Sequence, residues 1–104
     1  MALDTWGFIC LGSDAEDPAV DRAVIERGGL RTTIVAVPDQ RTAVRAATEL
    51  VDNGARLVEL RGVFRPVGTA EVVEAVGDRV PVGAAAYGAE SVPRLAALLA
   101  SEAD

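Results

Sequence analysis

The chain's 104 residues carry a formal charge of −6, are half hydrophobic yet only 4% aromatic, and include neither His nor Lys. The missing imidazole removes Ser-His and Cys-His nucleophilic systems and the common zinc sites, and the missing Lys removes Schiff-base chemistry and the P-loop lysine. The ten basic residues are all Arg and never run together, so neither nucleic acid nor an anionic membrane is an expected partner.

Residues 4–11, "DTWGFICL", are aromatic and apolar and end at Gly12-Ser13-Asp14, which predicts a first strand. In "DPAVDRAVIERGG", Asp17 reads as an N-cap and Pro18 as a first helical residue. Val20, Val24 and Ile25 share a helical face, so a short helix is expected up to Gly28-Gly29. Residues 30–37, "LRTTIVAV", are β-branched and predict the second strand. Asp39 then caps a helix through about Asp52, with Val44, Ala47, Leu50 and Val51 at helical spacing until Asn53-Gly54.

"ARLVELRG" reads as the third strand and "VFRPVG" as a loop. A helix is expected from about Thr69 to Val76, a fourth strand in "DRVPVGAAAY", and a last helix capped by Ser91 that carries Val92, Leu95, Leu98 and Leu99. No apolar stretch reaches the roughly 18–20 residues of a bilayer span, and "MALDTWGF" lacks a basic leader region, so a cytoplasmic location is expected.

Strand and helix thus alternate four times, which predicts one α/β domain over residues 1–104. It consists of four βα units whose small parallel sheet is covered by helices, either as an open flavodoxin-like sheet or as a half-barrel. Four strands leave edges and apolar faces exposed, so a homodimer is the expected remedy.

The candidate site follows from "LVELRG". Alternation puts Leu57, Glu59 and Arg61 on one face of the strand and Val58, Leu60 and Gly62 on the other. Two opposite charges inside a strand either pair structurally or open onto a cleft or interface, since an unpaired buried ion costs several kcal/mol. Ligands of parallel α/β sheets bind outside the carboxyl ends of the strands. That rim collects Ser13, Asp14, Asp39, Arg61, Phe64, Arg65 and Tyr87.

The expectation is a small-molecule-binding protein for an anionic or carbonyl-bearing metabolite. If it is catalytic, Glu59 serves as acid or base in a cofactor-independent isomerase, cyclase or lyase reaction. Arg61 or Arg65 then holds an oxyanion, with both arginines and Asp14, Asp39 and Tyr87 as substrate contacts. The alternative is a non-catalytic assembly or accessory protein that uses the charged strand at its interface.

Other features have plainer readings. Cys10 in "WGFICLG" is expected to be a buried small hydrophobe, and Trp6 a packing or interface residue. The acidic group Asp14, Glu16, Asp17 and Asp21 reads as a solvated first turn, and no metal is expected there. The glycines fit neither the dinucleotide nor the P-loop pattern, so no cofactor is expected.

"AVDRAVIE", "TIVAVPD" and "AATELVDNGARLVELRGVFRPVGTAEVVEAVGDRVPVG" resemble a family of small bacterial proteins of unknown function. The resemblance covers roughly residues 7–83 and rests on Glu59, Gly62, Phe64 and the "EAVGDRVPVG" turn. It implies an α/β fold and transfers no activity. This chain has Arg61-Gly62-Val63-Phe64-Arg65 where the family pattern implies a Cys-Gly-Gly-Phe-Gly-like loop, and an amphipathic helix where it implies a His- and Gly-rich tail.

Overall fold

In the computed structural model, which describes residues 2–62 and 66–103, an α/β architecture is built from a five-stranded sheet and three α-helices. In chain order these are β1 (Thr5–Leu11), β2 (Arg22–Arg27), β3 (Leu30–Val37), α1 (Gln40–Asp52), β4 (Val58–Arg61), α2 (Pro66–Val76) and β5 (Val82–Ala84). A 3₁₀ turn (Ala89–Ser91) and α3 (Val92–Ala103) complete the chain. No helix among the described residues is long and apolar enough to cross a membrane.

The sheet order is β2-β3-β1-β4-β5; β1 pairs in parallel with β3 and β4, and β4 with β5, while β2 is antiparallel to β3. Counting only the parallel strands, the order is 2-1-3-4, that of an open flavodoxin-like sheet, which decides against the half-barrel.

The helix expected after Asp17 is instead strand β2. Gly28 (φ 61°) and Gly29 (φ 81°) are both left-handed, the conformation of a two-residue type I′ turn, and they fold Arg22–Arg27 back along β3 from Arg27↔Leu30 to Arg22↔Val35. Asp17-Pro18 makes a tight turn, in which the Asp17 carbonyl accepts the N–H groups of Val20 (3.0 Å) and Asp21 (2.7 Å).

That exchange of a helix for a hairpin decides which face of the sheet is covered. The crossovers β3–α1–β4 and β4–α2–β5 step the same way across the sheet, so right-handedness lays both helices on one face. The connection from β1 to β3 steps the other way and would have laid a helix on the opposite face. Here it supplies an edge strand, so the expected covering by helices holds on one face. On the other, with Phe8, Cys10, Ile34 and Ala36 half-buried, no helix lies among the described residues and the face is bare in that sense.

The core lies on the helical face. Ile9, Val35, Val37, Val58 and Leu60 of the sheet are buried against Ala43, Ala46, Ala47 and Leu50 of α1 and Val72 and Val76 of α2. Three alanines let α1 lie close, and Gly7 leaves the space that Leu50 fills, since a Cβ there would meet the Leu50 side chain. Asp39 caps α1 by accepting the Thr42 N–H (2.8 Å) and hydroxyl (2.7 Å), and these bonds hold its carboxyl below the usual range. Gln40 Nε2 donates to the Gly68 carbonyl at 2.8 Å and ties the start of α1 to α2.

Alternation sends the other residues of each strand to the bare face. In register across it stand Ile34, Phe8, Glu59 and Gly83 in one row and Ala36, Cys10 and Arg61 in the next. Trp6 and Phe8 meet there edge to face, with centroids 6.3 Å apart and ring planes at 74°. Cys10 is half-buried on this face, less enclosed than the expected core position. β5 keeps only three residues of the longer strand expected, and α2 starts at Pro66, three residues before Thr69.

Candidate functional site

Each parallel strand delivers its last residue to one edge of the sheet. The chain order reverses between β1 and β4, because the chain leaves β1 for β3 and then crosses back to β4. Such a switch point separates the connections on either side and opens a crevice at the carboxyl ends. A cleft of about 690 Å³ lies there. Leu11, Gly12 and Ser13 line it from β1, Arg61 and Gly62 from β4, Ala85, Ala86 and Tyr87 from the segment after β5, and Leu95, Leu98 and Leu99 from α3. Its volume falls within the range of small-molecule sites.

The two sides of the cleft differ in chemistry. Arg61 supplies a guanidinium, Ser13 and Tyr87 supply hydroxyl groups, and three leucines of α3 form an apolar wall. Arg61 belongs to none of the three ion pairs among the described residues, which join Arg22–Glu49 (3.5 Å), Arg31–Glu26 (3.4 Å) and Arg79–Asp52 (2.8 Å). Among the described residues no carboxylate engages its five N–H donors. Burial pushes the Cys10 thiol above its ordinary value, and the Arg61 guanidinium beside it works against that rise.

The loop after β1 is held by its own carboxylate. Glu16 accepts the Ser13 N–H at 2.8 Å, the Ser13 hydroxyl at 2.7 Å and the Asp14 N–H at 3.1 Å. Asp14 sits at φ 119°, and Gly12 leaves the space the Glu16 carboxyl occupies. These donors, the Ser13 N–H foremost, hold the Glu16 carboxyl down to about 2. A depressed pKa stabilises the fold above the ordinary glutamate value and loses that contribution as pH falls through the folded value. Thermal melts between pH 4.5 and 2 are therefore expected to show wild type losing its advantage over Glu16→Gln across this window; parallel melting curves would contradict the loop geometry.

The expected rim is assembled in part. Arg61 and Tyr87 meet in the cleft, together with Ser13. Asp14 contributes its backbone to the Glu16 contact, and its side chain is not part of the cleft lining. Asp39 caps α1 as expected, its carboxylate engaged by Thr42, and is not part of the cleft lining. Arg65 and Phe64 lie outside the described residues.

Glu59 shares a face with Arg61 as the alternation required, while Val58 and Leu60 are buried on the other. It stands on the bare face, exposed, beside Phe8 and Gly83 and outside the cleft lining. The acidic group does not form a helical turn: Asp17 accepts the Ala19 N–H (3.0 Å) and Asp21 accepts the Asp17 N–H (2.8 Å).

Sequence reasoning missed the leucine wall. The stripe Leu95, Leu98 and Leu99 was visible, yet its target was not, because an amphipathic helix does not encode which surface it meets. A second cleft of about 540 Å³ lies between residues 17–22 and α1, but its Arg22 already donates to the Pro18 carbonyl (2.7 Å) and faces Glu49.

Residues 4–100 match the model of a protein family described as a "Family of unknown function (DUF6506)". No curated protein and no solved structure matches the chain.

Proposed function

The chain belongs to that family of unknown function, and we propose, from its geometry, that it binds a small molecule with an anionic head and an apolar body in the switch-point cleft. One observation carries the proposal: Arg61, with no carboxylate partner among the described residues, lines the same cleft as Leu95, Leu98 and Leu99. A guanidinium takes a carboxylate through two parallel hydrogen bonds, and an apolar wall favours a hydrocarbon or aromatic remainder. Tyr87 adds an orienting hydroxyl group, while the Ser13 hydroxyl, whose proton goes to Glu16, offers a ligand only an acceptor. Glu59 lies outside the lining, so the proposed activity is binding and includes no proton-transfer step.

Melting in the presence of octanoate, phenylacetate and inorganic phosphate tests this. A ligand at a hundred times its Kd stabilises by about 2.7 kcal/mol, or about 10–20 °C for a domain of this size. The two carboxylates with apolar bodies are expected to raise the midpoint and phosphate to leave it nearly unchanged. Arg61→Met is expected to weaken carboxylate binding about ten- to a hundredfold, since a charged hydrogen bond is lost. Equal binding by Arg61→Met, or no stabilisation by any of the three, would overturn the proposal.

A further inference from the structure

The bare face of the sheet is self-complementary in size and in charge. Of two adjacent rows, one carries the large residues Ile34 and Phe8 followed by Glu59, and the other carries Ala36 and Cys10 followed by Arg61. A two-fold axis lying across the strands between these rows would place Ile34 over Ala36, Phe8 over Cys10 and Glu59 over Arg61, each contact made twice. Large side chains then meet small ones, as packed layers require, and each charge meets its opposite. Neither Glu59 nor Arg61 has an ion-pair partner within the chain among the described residues.

We propose that this face docks a second copy of the chain, sheet against sheet with the strands antiparallel, through two Glu59–Arg61 pairs. Five strands about 4.8 Å apart, of three to eight residues each, present about 450 Å² in projection. Side-chain relief raises that toward the roughly 800 Å² per partner of a specific interface. Facing sheets stack about 10 Å apart, a gap that two opposed side chains fill. The arrangement brings the second copy's Glu59 to the mouth of the cleft that Arg61 lines, where the guanidinium offers one edge to it and the other to a ligand. This last point rests on the ligand reading; the docking does not.

Sedimentation equilibrium from 1 to 200 µM, with circular dichroism to confirm folding, tests the pairing. Wild type is expected to form a dimer. Glu59→Arg or Arg61→Glu alone sets like charges against each other, and each is expected to raise the dissociation constant at least a hundredfold. An equimolar mixture of the two variants restores opposite charges and is expected to recover the dimer, as is the double variant in one chain. Ile25→Asp, at the exposed edge of the same face, is expected to weaken it as well.

A monomeric wild type, single variants that stay dimeric, or a mixture that stays monomeric would each overturn the proposal. The double variant separates it from the ligand reading, because it keeps the interface pair and loses the guanidinium at position 61. Recovered dimers with octanoate binding lost support both claims. Recovered dimers with octanoate binding unchanged refute only the ligand site.

Discussion

Ile9→Ala is expected to destabilise the domain by about 2–5 kcal/mol and to lower its melting midpoint by at least about 10 °C. Ile9 is fully buried at the middle of the central strand, flanked in register by Val35 on β3 and Leu60 on β4. Strands on both sides hold β1 in place, so the cavity left by the truncation cannot close by a shift of the backbone. Against a total stability of about 5–15 kcal/mol, such a loss brings the fold near its limit. Val73→Ala on the exposed side of α2 is the control, with an expected cost under about 1 kcal/mol. Equal losses in the two variants by calorimetry would contradict a core gathered on the helical face alone.

Gly62→Ala is expected to cost about 2–4 kcal/mol and to weaken carboxylate binding more than tenfold. Gly62 has φ 123°, a conformation that residues with a Cβ rarely adopt, and an added Cβ would meet the Cβ of Leu11 at 2.7 Å and its carbonyl oxygen at 3.1 Å. Leu11 and Gly62 both line the cleft, so relief of the clash has to move one wall of it. Gly28→Asn is the comparison: φ is 61°, no atom lies within 4 Å of an added Cβ, and Asn tolerates the left-handed region. Its expected cost is under about 1 kcal/mol. A Gly62→Ala variant as stable as Gly28→Asn would contradict the close packing of β1 and β4 at the switch point.

Much of the architecture was legible where burial and capping act locally. β3 and α1 fall where the β-branched run and the Asp39 cap place them, and β1 differs by one residue. The second strand was not legible as such. Asp17-Pro18 imitates a helix start, Val20 and Val24 stand four apart, and Gly28-Gly29 serves equally as a helix stop or a hairpin turn. Every residue of β2 is exposed, so no buried alternation marks it as a strand. The useful signal was the double glycine between two β-branched runs.

The site divides along the same line. The rule of carboxyl ends brought Arg61 and Tyr87 to one rim, where both line the cleft, because strand direction follows from topology. The same rule placed Asp39 at the rim, although its expected capping bonds to Thr42 occupy the carboxylate. Alternation related Glu59 to Arg61 correctly, but whether their shared face was covered depended on the first crossover, and that crossover was misread.

The central claim is that Arg61 and the α3 wall form a binding cleft at the switch point. An amide and guanidinium chemical-shift map of the folded chain during an octanoate titration tests it most directly. Shifts at the amides of Ser13, Gly62 and Leu95 and at the Arg61 Nε–H, absent from these amides in Arg61→Met, are the predicted result. Shifts centred on residues 17–22 and α1, or the same cleft shifts in Arg61→Met, would contradict it.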